Sequence, residues 1–314
     1  MISAAQRYHA TSDLWLVTTY FNPAGFRRKR ESYERFLAPI LAAGLPLLTV
    51  ECAFGAAPFS LADGPGMLRR RARDVLWQKE RLINLAIASL PASCRKVAWI
   101  DGDVLFENPD WAVEAARVLD RQPLVQLFSR AAQQLPDGTI AGESEQASFA
   151  AIGSTDTKPA RQLEWEQHGH TGYAWAARRE LLATRGLYDR FVLGGADHAI
   201  AHAACGGWDS PCLQRRWQTN PRQRDDFLAW AEPFEQDVGG DIGCIEGGLL
   251  HLWHGAEGHR RYEQRHRDLA DLGFDPATAL KLDEHGCWAW RDPESGLREL
   301  AAEYFRQRLE DQDV

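Results

Sequence analysis

Apolar positions in the first 130 or so residues come in short runs separated by longer stretches of amphipathic period, the pattern left when parallel strands are joined through helices. Residues 14–19 (LWLVTT) read as a buried strand, and YFNPAG after them as a loop. A helix is expected over 30–43, closed by Gly44, and a second strand over 45–51 (LPLLTVE). A Gly- and Pro-rich loop, CAFGAAPFSLADGPG, follows. Residues 71–90 carry a helical period, with Leu76, Ile83, Ile87 and Leu90 on one flank and Trp77, Glu80, Arg81 and Asn84 on another. VAWI (97–100) is a third strand that runs straight into Asp101-Gly102-Asp103, and LVQLF (124–128) is a fourth.

From about residue 129 to 170 the chain is polar with few apolar pairs, which reads as a long loop or an inserted excursion. Such loops in compact domains are mostly lids or binding segments. A strand-like GYAWAA then leads into a helical RRELLATRG, a Gly194-Gly195-Ala196-Asp197 turn and a helix through Ala204. Residues 249–253 form a late strand that closes on His254-Gly255. The tail from His259 is charged and helical in pattern, with an amphipathic period over 296–309. No internal repeat or low-complexity linker interrupts this order, so one domain with a helical C-terminal extension is expected.

Composition narrows the functional classes. With 45% hydrophobic and 25% charged residues the chain is neither disordered nor a small disulfide scaffold. Its net charge of −8, with no long basic tail, argues against a nucleic-acid partner, since phosphate binding rests on Lys and Arg. The longest apolar stretch, 36–50, is broken by Pro39, Gly44 and Pro46, and MISAAQRYHATSD has no signal-peptide core. A cytoplasmic protein without a transmembrane segment is expected, with peripheral membrane contact still compatible. Cys52, Cys94, Cys205, Cys212, Cys244 and Cys287 form no C-x-x-C pair and read as reduced packing thiols.

Three segments carry candidate chemistry. In Asp101-Gly102-Asp103, residues i and i+2 of an extended segment share a side, so two hard oxygen donors can face one Mg²⁺ or Mn²⁺. The same triplet is also a common solvated turn. In His251-Leu252-Trp253-His254-Gly255 an ideal strand sends i and i+3 to opposite faces. Both imidazoles reach one ion only if the chain bends after His251, so His254 is the preferred ligand and His251 a second. In Gly194-Gly195-Ala196-Asp197-His198, Asp197 is either an N-cap or a general base. Twelve tryptophans are many, yet tryptophans in apolar strands are mostly core; Trp77 is the one that reads as a ligand contact. The Arg27–Arg28 and Arg69–Arg71 clusters read as solvated helix surface that could reach a phosphate. Neither G-x-x-x-x-G-K-[ST] nor G-x-G-x-x-G is present, which weighs against a P-loop or dinucleotide fold.

Taken in order, these segments resemble the GT-A glycosyltransferases, especially the branch of β-galactosyltransferases and polypeptide N-acetylgalactosaminyltransferases. Trp77, Lys79 and Asn84 match its aromatic-x-Arg-x4-Asn element, VAWIDGDVLFENPDW its D-x-D segment, Gly194-Gly195-Ala196-Asp197 its Gly-Gly-Glu-Asp, and HLWHG its late metal element. The resemblance covers roughly 14–265 and implies a Rossmann-like mixed α/β sheet flanked by helices. It divides the chain into a catalytic domain over 1–258, with a donor half at about 14–128 and an acceptor half at about 129–258, and an extension over 259–314. It implies Asp103 and His254 as metal ligands, with Asp101 and His251 beside them. Tyr20, Asn22, Glu51, Trp77, Lys79, Asn84, Asp101 and Asp103 fall to the donor, and Gly194, Gly195 and Trp175 to the acceptor. Asp197 is the implied general base and His198 the reserve. Ala196 and Leu193 depart from the acidic residue and the tryptophan usual in the acceptor segment, so no acceptor is carried over.

The function this implies is a Mn²⁺- or Mg²⁺-dependent transfer of a sugar from a nucleotide-diphosphate donor, UDP-linked, to a glycan or other hydroxyl acceptor, with inversion. A nucleotidyltransferase is the rival enzyme, and it lacks a Gly-rich phosphate loop here. A non-catalytic carbohydrate-binding protein on the same fold is the rival from another class.

Overall fold

The computed structural model of the chain describes residues 11–141, 145–155 and 167–312. The signal-peptide reading at the N-terminus and part of the 129–170 excursion therefore concern segments outside the described residues. In chain order the elements are β1 (Leu14–Tyr20), α1 (Arg27–Ala42), β2 (Leu47–Phe54), β3 (Met67–Ala72), α2 (Lys79–Ser89), β4 (Lys96–Ile100), β5 (Val104–Phe106) and α3 (Trp111–Leu119). There follow β6 (Leu124–Gln126), β7 (Arg130–Gln133), β8 (Gln146–Ala147), α4 (Phe149–Thr155), β9 (Ala174–Arg178), α5 (Arg179–Arg185), α6 (Ala196–Ala204), α7 (Pro211–Thr219) and α8 (Pro221–Val238). The last are β10 (Ile242–Cys244), β11 (Gly248–His251), α9 (Gln264–Asp271), β12 (Leu280–Leu282), β13 (Trp288–Trp290) and α10 (Gly296–Gln307).

The observed class is the expected one, a mixed α/β sheet flanked by helices. Seven strands lie in the order β10-β6-β9-β4-β1-β2-β3, with β9 antiparallel to both neighbours and the other pairings parallel. β1 and β4 are mostly apolar and largely buried because both sheet faces are covered. Leu14, Leu16, Tyr20, Ala98 and Ile100 pack on one side with Tyr33, Phe36 and Ile40 of α1. Val17, Val97 and Trp99 pack on the other with Leu82, Ile83, Ala86 and Ile87 of α2. A second sheet, β5-β11-β7-β8, stands over the carboxyl end of β4. Among the described residues no helix is long and apolar enough to cross a membrane.

Several sequence expectations are corrected. The helix expected over 71–90 is shorter: Met67–Ala72 pairs in parallel with β2, and α2 starts only at Lys79. The open edge of β2 offers backbone partners that outweigh a helical period. Arg69–Arg71 thus lie on an edge strand, where charge discourages further pairing. The 129–170 excursion contributes β7, β8 and α4, because β7 finds β11 as a parallel partner. The strand expected over 249–253 stops at His251. Helices α7 and α8 were not read from the sequence, and α10 packs Tyr304 and Phe305 into the same core as α2 and β4.

Asp74 ties this C-terminal segment to the turn before α2. Its buried carboxylate accepts from the Trp290 N–H at 3.0 Å and from Arg73, and it pairs with Arg298 Nε at 3.0 Å. Asp74→Ala is expected to cost about 3 kcal/mol in urea unfolding, because it strands those donors. Arg298→Ala, at a half-exposed position, should cost under about 1 kcal/mol in the same measurement.

Candidate functional site

After β1 the chain moves outward through β2 and β3, then returns to β4 on the other side of β1. Between the carboxyl ends of β1 and β4 the strand order reverses, and crevices at such points are where open α/β sheets bind ligands. Asp101-Gly102-Asp103 leaves β4 there. Its backbone is fixed by the Asp101 N–H donating to Tyr173 O and the Leu252 N–H donating to Asp103 O, each at 2.8 Å.

Pairing of β5 with β11 sets His251 opposite Val104, beside Asp103. Because β11 ends at His251, the chain turns and returns His254 to the same spot, with Gly255 in the left-handed region at φ 92°. His254 Nε2 lies 3.2 Å from Asp103 Oδ2 and 3.0 Å from His251 Nε2, and His251 Nε2 lies 3.9 Å from Asp103 Oδ1. Potential ligand atoms of the three residues fall within 4.8 Å of one another, all buried. Gln133 Oε1 accepts a hydrogen bond from His251 Nδ1 at 2.5 Å, which leaves the Nε2 lone pair facing Asp103. The donor set of one carboxylate and two imidazoles fits a Mn²⁺-like ion. Burial pushes the Asp103 carboxyl up, but Lys29 at 3.5 Å together with His254 and His251 hold it well below the usual carboxylate range. Tyr173, at φ 75°, supplies the carbonyl that holds Asp101 while its ring stacks between His170 and His251. Such strain in a non-glycine residue clusters at functional sites.

Cations close in from the C-terminal side. Arg260 Nη2 donates to His254 Nε2 at 3.0 Å, so it and an ion would compete for one lone pair. Arg308 pairs with Glu310 at 2.6 Å, and Glu310 Oε1 sits 3.7 Å from His254 Nδ1.

The second cluster is built on Lys79. Its buried ammonium contacts Asp101 Oδ1 at 2.6 Å and both Asp197 oxygens at 3.1 Å. Burial raises the Asp101 carboxyl, Lys79 opposes that, and the outcome is a rise to about 6. With Oδ1 on Lys79, Asp101 stands outside the Asp103–His251–His254 group.

Other expected site residues are placed elsewhere. His198, about 100° round α6 from Asp197, turns away and lies 3.1 Å from Cys212 Sγ, so it is no reserve base. Asn84, about 140° round α2 from Lys79, bonds Leu187 and Asp189 instead of a donor pocket. Trp175 is a core residue whose Nε1 donates to Thr171 O at 2.9 Å. Tyr20 packs on Tyr33 in the core, and Glu51 is held by the amides of Ser60 and Leu61. Asn22 caps its own loop through Phe26, within reach of the crevice. Trp77 is covered: Phe305 stacks on it at 6.2 Å and the Arg308 guanidinium lies 5.4 Å over the ring. The space left there, about 20 Å³, is room for a water and not for a nucleotide. A Cβ on Gly194 would meet Trp77 at 3.2 Å and one on Gly195 would meet His266 at 3.1 Å, so both glycines face packed side chains. Lys29, Gln133, Tyr173, Arg260, Arg308 and Glu310 were missed, and only contacts between distant segments reveal them.

No family model matches the chain, and no curated protein matches it. Among solved structures it is similar to glucosyl-3-phosphoglycerate synthase from Mycobacterium tuberculosis. One such structure, in complex with Mn²⁺, uridine diphosphate and phosphoglyceric acid, is 14% identical with a TM-score of 0.45, covering 90% of this chain and 86% of that one. Another, with Mg²⁺ and uridine diphosphate, is 12% identical with a TM-score of 0.45, covering 92% and 91%.

Glu80, buried beside Lys79, gives the cluster a pH signature. Desolvation, reinforced by Asp197 and opposed by Lys79, pushes its carboxyl up to about 8 from an ordinary 4.5. The folded chain then holds one more proton than the unfolded chain between those values, so this group lowers stability as pH rises through them. Thermal unfolding of Glu80→Gln should match the parent near pH 4 and exceed it by several degrees above pH 8.

Proposed function

We propose that the chain is a metal-dependent glycosyltransferase of GT-A type that moves a sugar from a nucleotide-diphosphate donor, UDP-linked, to a hydroxyl acceptor with inversion. The observation that carries this reading is the convergence of Asp103, His251 and His254 at the carboxyl end of the sheet's switch point, ringed by Lys29, Arg260 and Arg308. The order of the D-G-D, G-G-A-D and H-x-x-H segments supports the β-galactosyltransferase and N-acetylgalactosaminyltransferase branch.

Asp103, His254 and His251 would hold a Mn²⁺ or Mg²⁺ ion. When bound, the ion supplies Lewis-acid stabilisation of the departing diphosphate, worth several kcal/mol. The chain's own residues do the rest. Lys29, Arg260 and Arg308 offset the diphosphate charge in a buried setting where such pairing is strong. Arg260 leaves His254 as it turns to the phosphates. Asp197 takes the proton from the acceptor hydroxyl as its oxygen attacks the anomeric carbon from the face opposite the diphosphate. Lys79 fixes the Asp197 carboxylate through both oxygens and so orients it. A base stacked on Trp77 would take the place of Phe305, so donor entry goes with a shift of the end of α10.

Thermal-shift and calorimetric titration with UDP and Mn²⁺ test the reading. Asp103→Asn should abolish Mn²⁺-dependent nucleotide binding. Asp197→Asn should keep that binding and lower transfer by about 10²–10⁴-fold. Transfer retained in Asp197→Asn sinks the base assignment, and metal-dependent UDP binding retained in Asp103→Asn sinks the site.

Arg260→Ala separates the two tasks of that residue. It should tighten Mn²⁺ binding in the absence of nucleotide, since the competing donor is gone, and weaken UDP binding in its presence.

A further inference from the structure

Away from the crevice, a second set of buried side chains has the composition of a transition-metal site. His198 and His202 are one turn apart on α6, so their rings project from one face. Cys212 in the first turn of α7 and His168, ahead of β9, meet them. Potential ligand atoms of His168, His198, His202 and Cys212 all lie within 4.8 Å of one another, and all four side chains are buried.

The cysteine-to-imidazole spacing is close to that of tetrahedral zinc. Zn–N near 2.0–2.1 Å and Zn–S near 2.3 Å place nitrogen and sulfur ligands about 3.5 Å apart. Cys212 Sγ lies 3.1 Å from His198 Nε2 and 3.5 Å from His202 Nε2. The three imidazole rings stand 4.8, 4.9 and 5.1 Å apart, with His202 edge-on to the other two. His168 Nδ1 donates to the Gly169 carbonyl at 2.8 Å, which turns the Nε2 lone pair toward the cluster, the outer-sphere arrangement usual for a ligating histidine. Ser210 Oγ, 3.4 Å from Cys212 Sγ, can donate to a thiolate. Phe149 closes the site on His168 and His202.

The geometry points to a structural Zn²⁺ bound by His168, His198, His202 and Cys212. Four protein ligands leave no open position, so this ion holds structure and does no chemistry. It would clamp three segments: the approach to β9, the start of α7, and α6, whose first turn carries Asp197. The inference stands independently of the glycosyltransferase reading, because none of its ligands belongs to the crevice.

Metal content and cobalt spectroscopy on the full chain test it. After dialysis against EDTA at a concentration that strips weak sites, about one zinc per chain should remain by mass spectrometry. Reconstituting the metal-free chain with Co²⁺ should give the intense visible bands of a tetrahedral site and a near-ultraviolet thiolate-to-cobalt band. The thiolate band should vanish in Cys212→Ser and persist in the Asp103→Asn, His254→Ala double variant, since the crevice has no cysteine. Circular dichroism establishes that each variant is folded, and the thermal midpoint of the parent should fall on metal removal and recover with Zn²⁺. A wild-type chain that is folded, keeps no zinc and shows no thiolate-to-cobalt band overturns the proposal. So does a thiolate band that survives in Cys212→Ser.

Discussion

Two carboxylates from segments distant in sequence, Asp101 and Asp197, can share one crevice because the Lys79 ammonium lies between them. Asp101 leaves β4 and Asp197 opens α6, and without a cation they would repel in a medium that screens charge poorly. Lys79 therefore joins the end of β4, the first turn of α2 and the helix of the candidate base into one unit. The arrangement is expensive to leave incomplete. Removing one partner leaves an uncompensated buried charge, which typically costs 3–5 kcal/mol. Asp101 and Glu80 show the residual strain, since both carboxyls remain raised despite the neighbouring ammonium.

The adjoining triad obeys the opposite balance. Around Asp103 the cations and imidazoles outweigh desolvation, so the carboxylate is kept ionised. One side of the crevice is thus prepared to meet positive charge and the other is already neutralised by it. On the proposed reading, Arg260, Lys29 and Arg308 would supply the counter-charge for a diphosphate. Their present partners are His254, Asp103 and Glu310.

The end of α10 belongs to this balance. Phe305 and Arg308 cover Trp77, and Glu310 reaches toward His254, so the last described turn of the chain closes the crevice between the first strand and the late histidines. Asp74, through Trp290 and Arg298, anchors the segment that leads to it. On the proposed reading, donor entry would go with a local shift of this cover at the end of α10.

Much of the β1–β4 architecture could be read from the chain, because buried parallel strands write themselves as apolar runs and the D-G-D triplet follows the third of these directly. Edge strand β3 and the strands of the excursion could not, since Met67–Ala72 and Arg130–Gln133 owe their form to partners far away in sequence. The site divides in the same way. Residue type and order singled out Asp103, His251, His254 and Asp197, and the family resemblance added Lys79. Which nitrogen faces Asp103, that Lys79 spans two carboxylates, that Asn84 and Trp175 face elsewhere, and that His198 joins Cys212 were decided by tertiary structure alone. The physical reason is that local period and composition specify which face of an element is buried. What a side chain meets on that face depends on long-range pairing, such as β5 with β11, which no local pattern encodes.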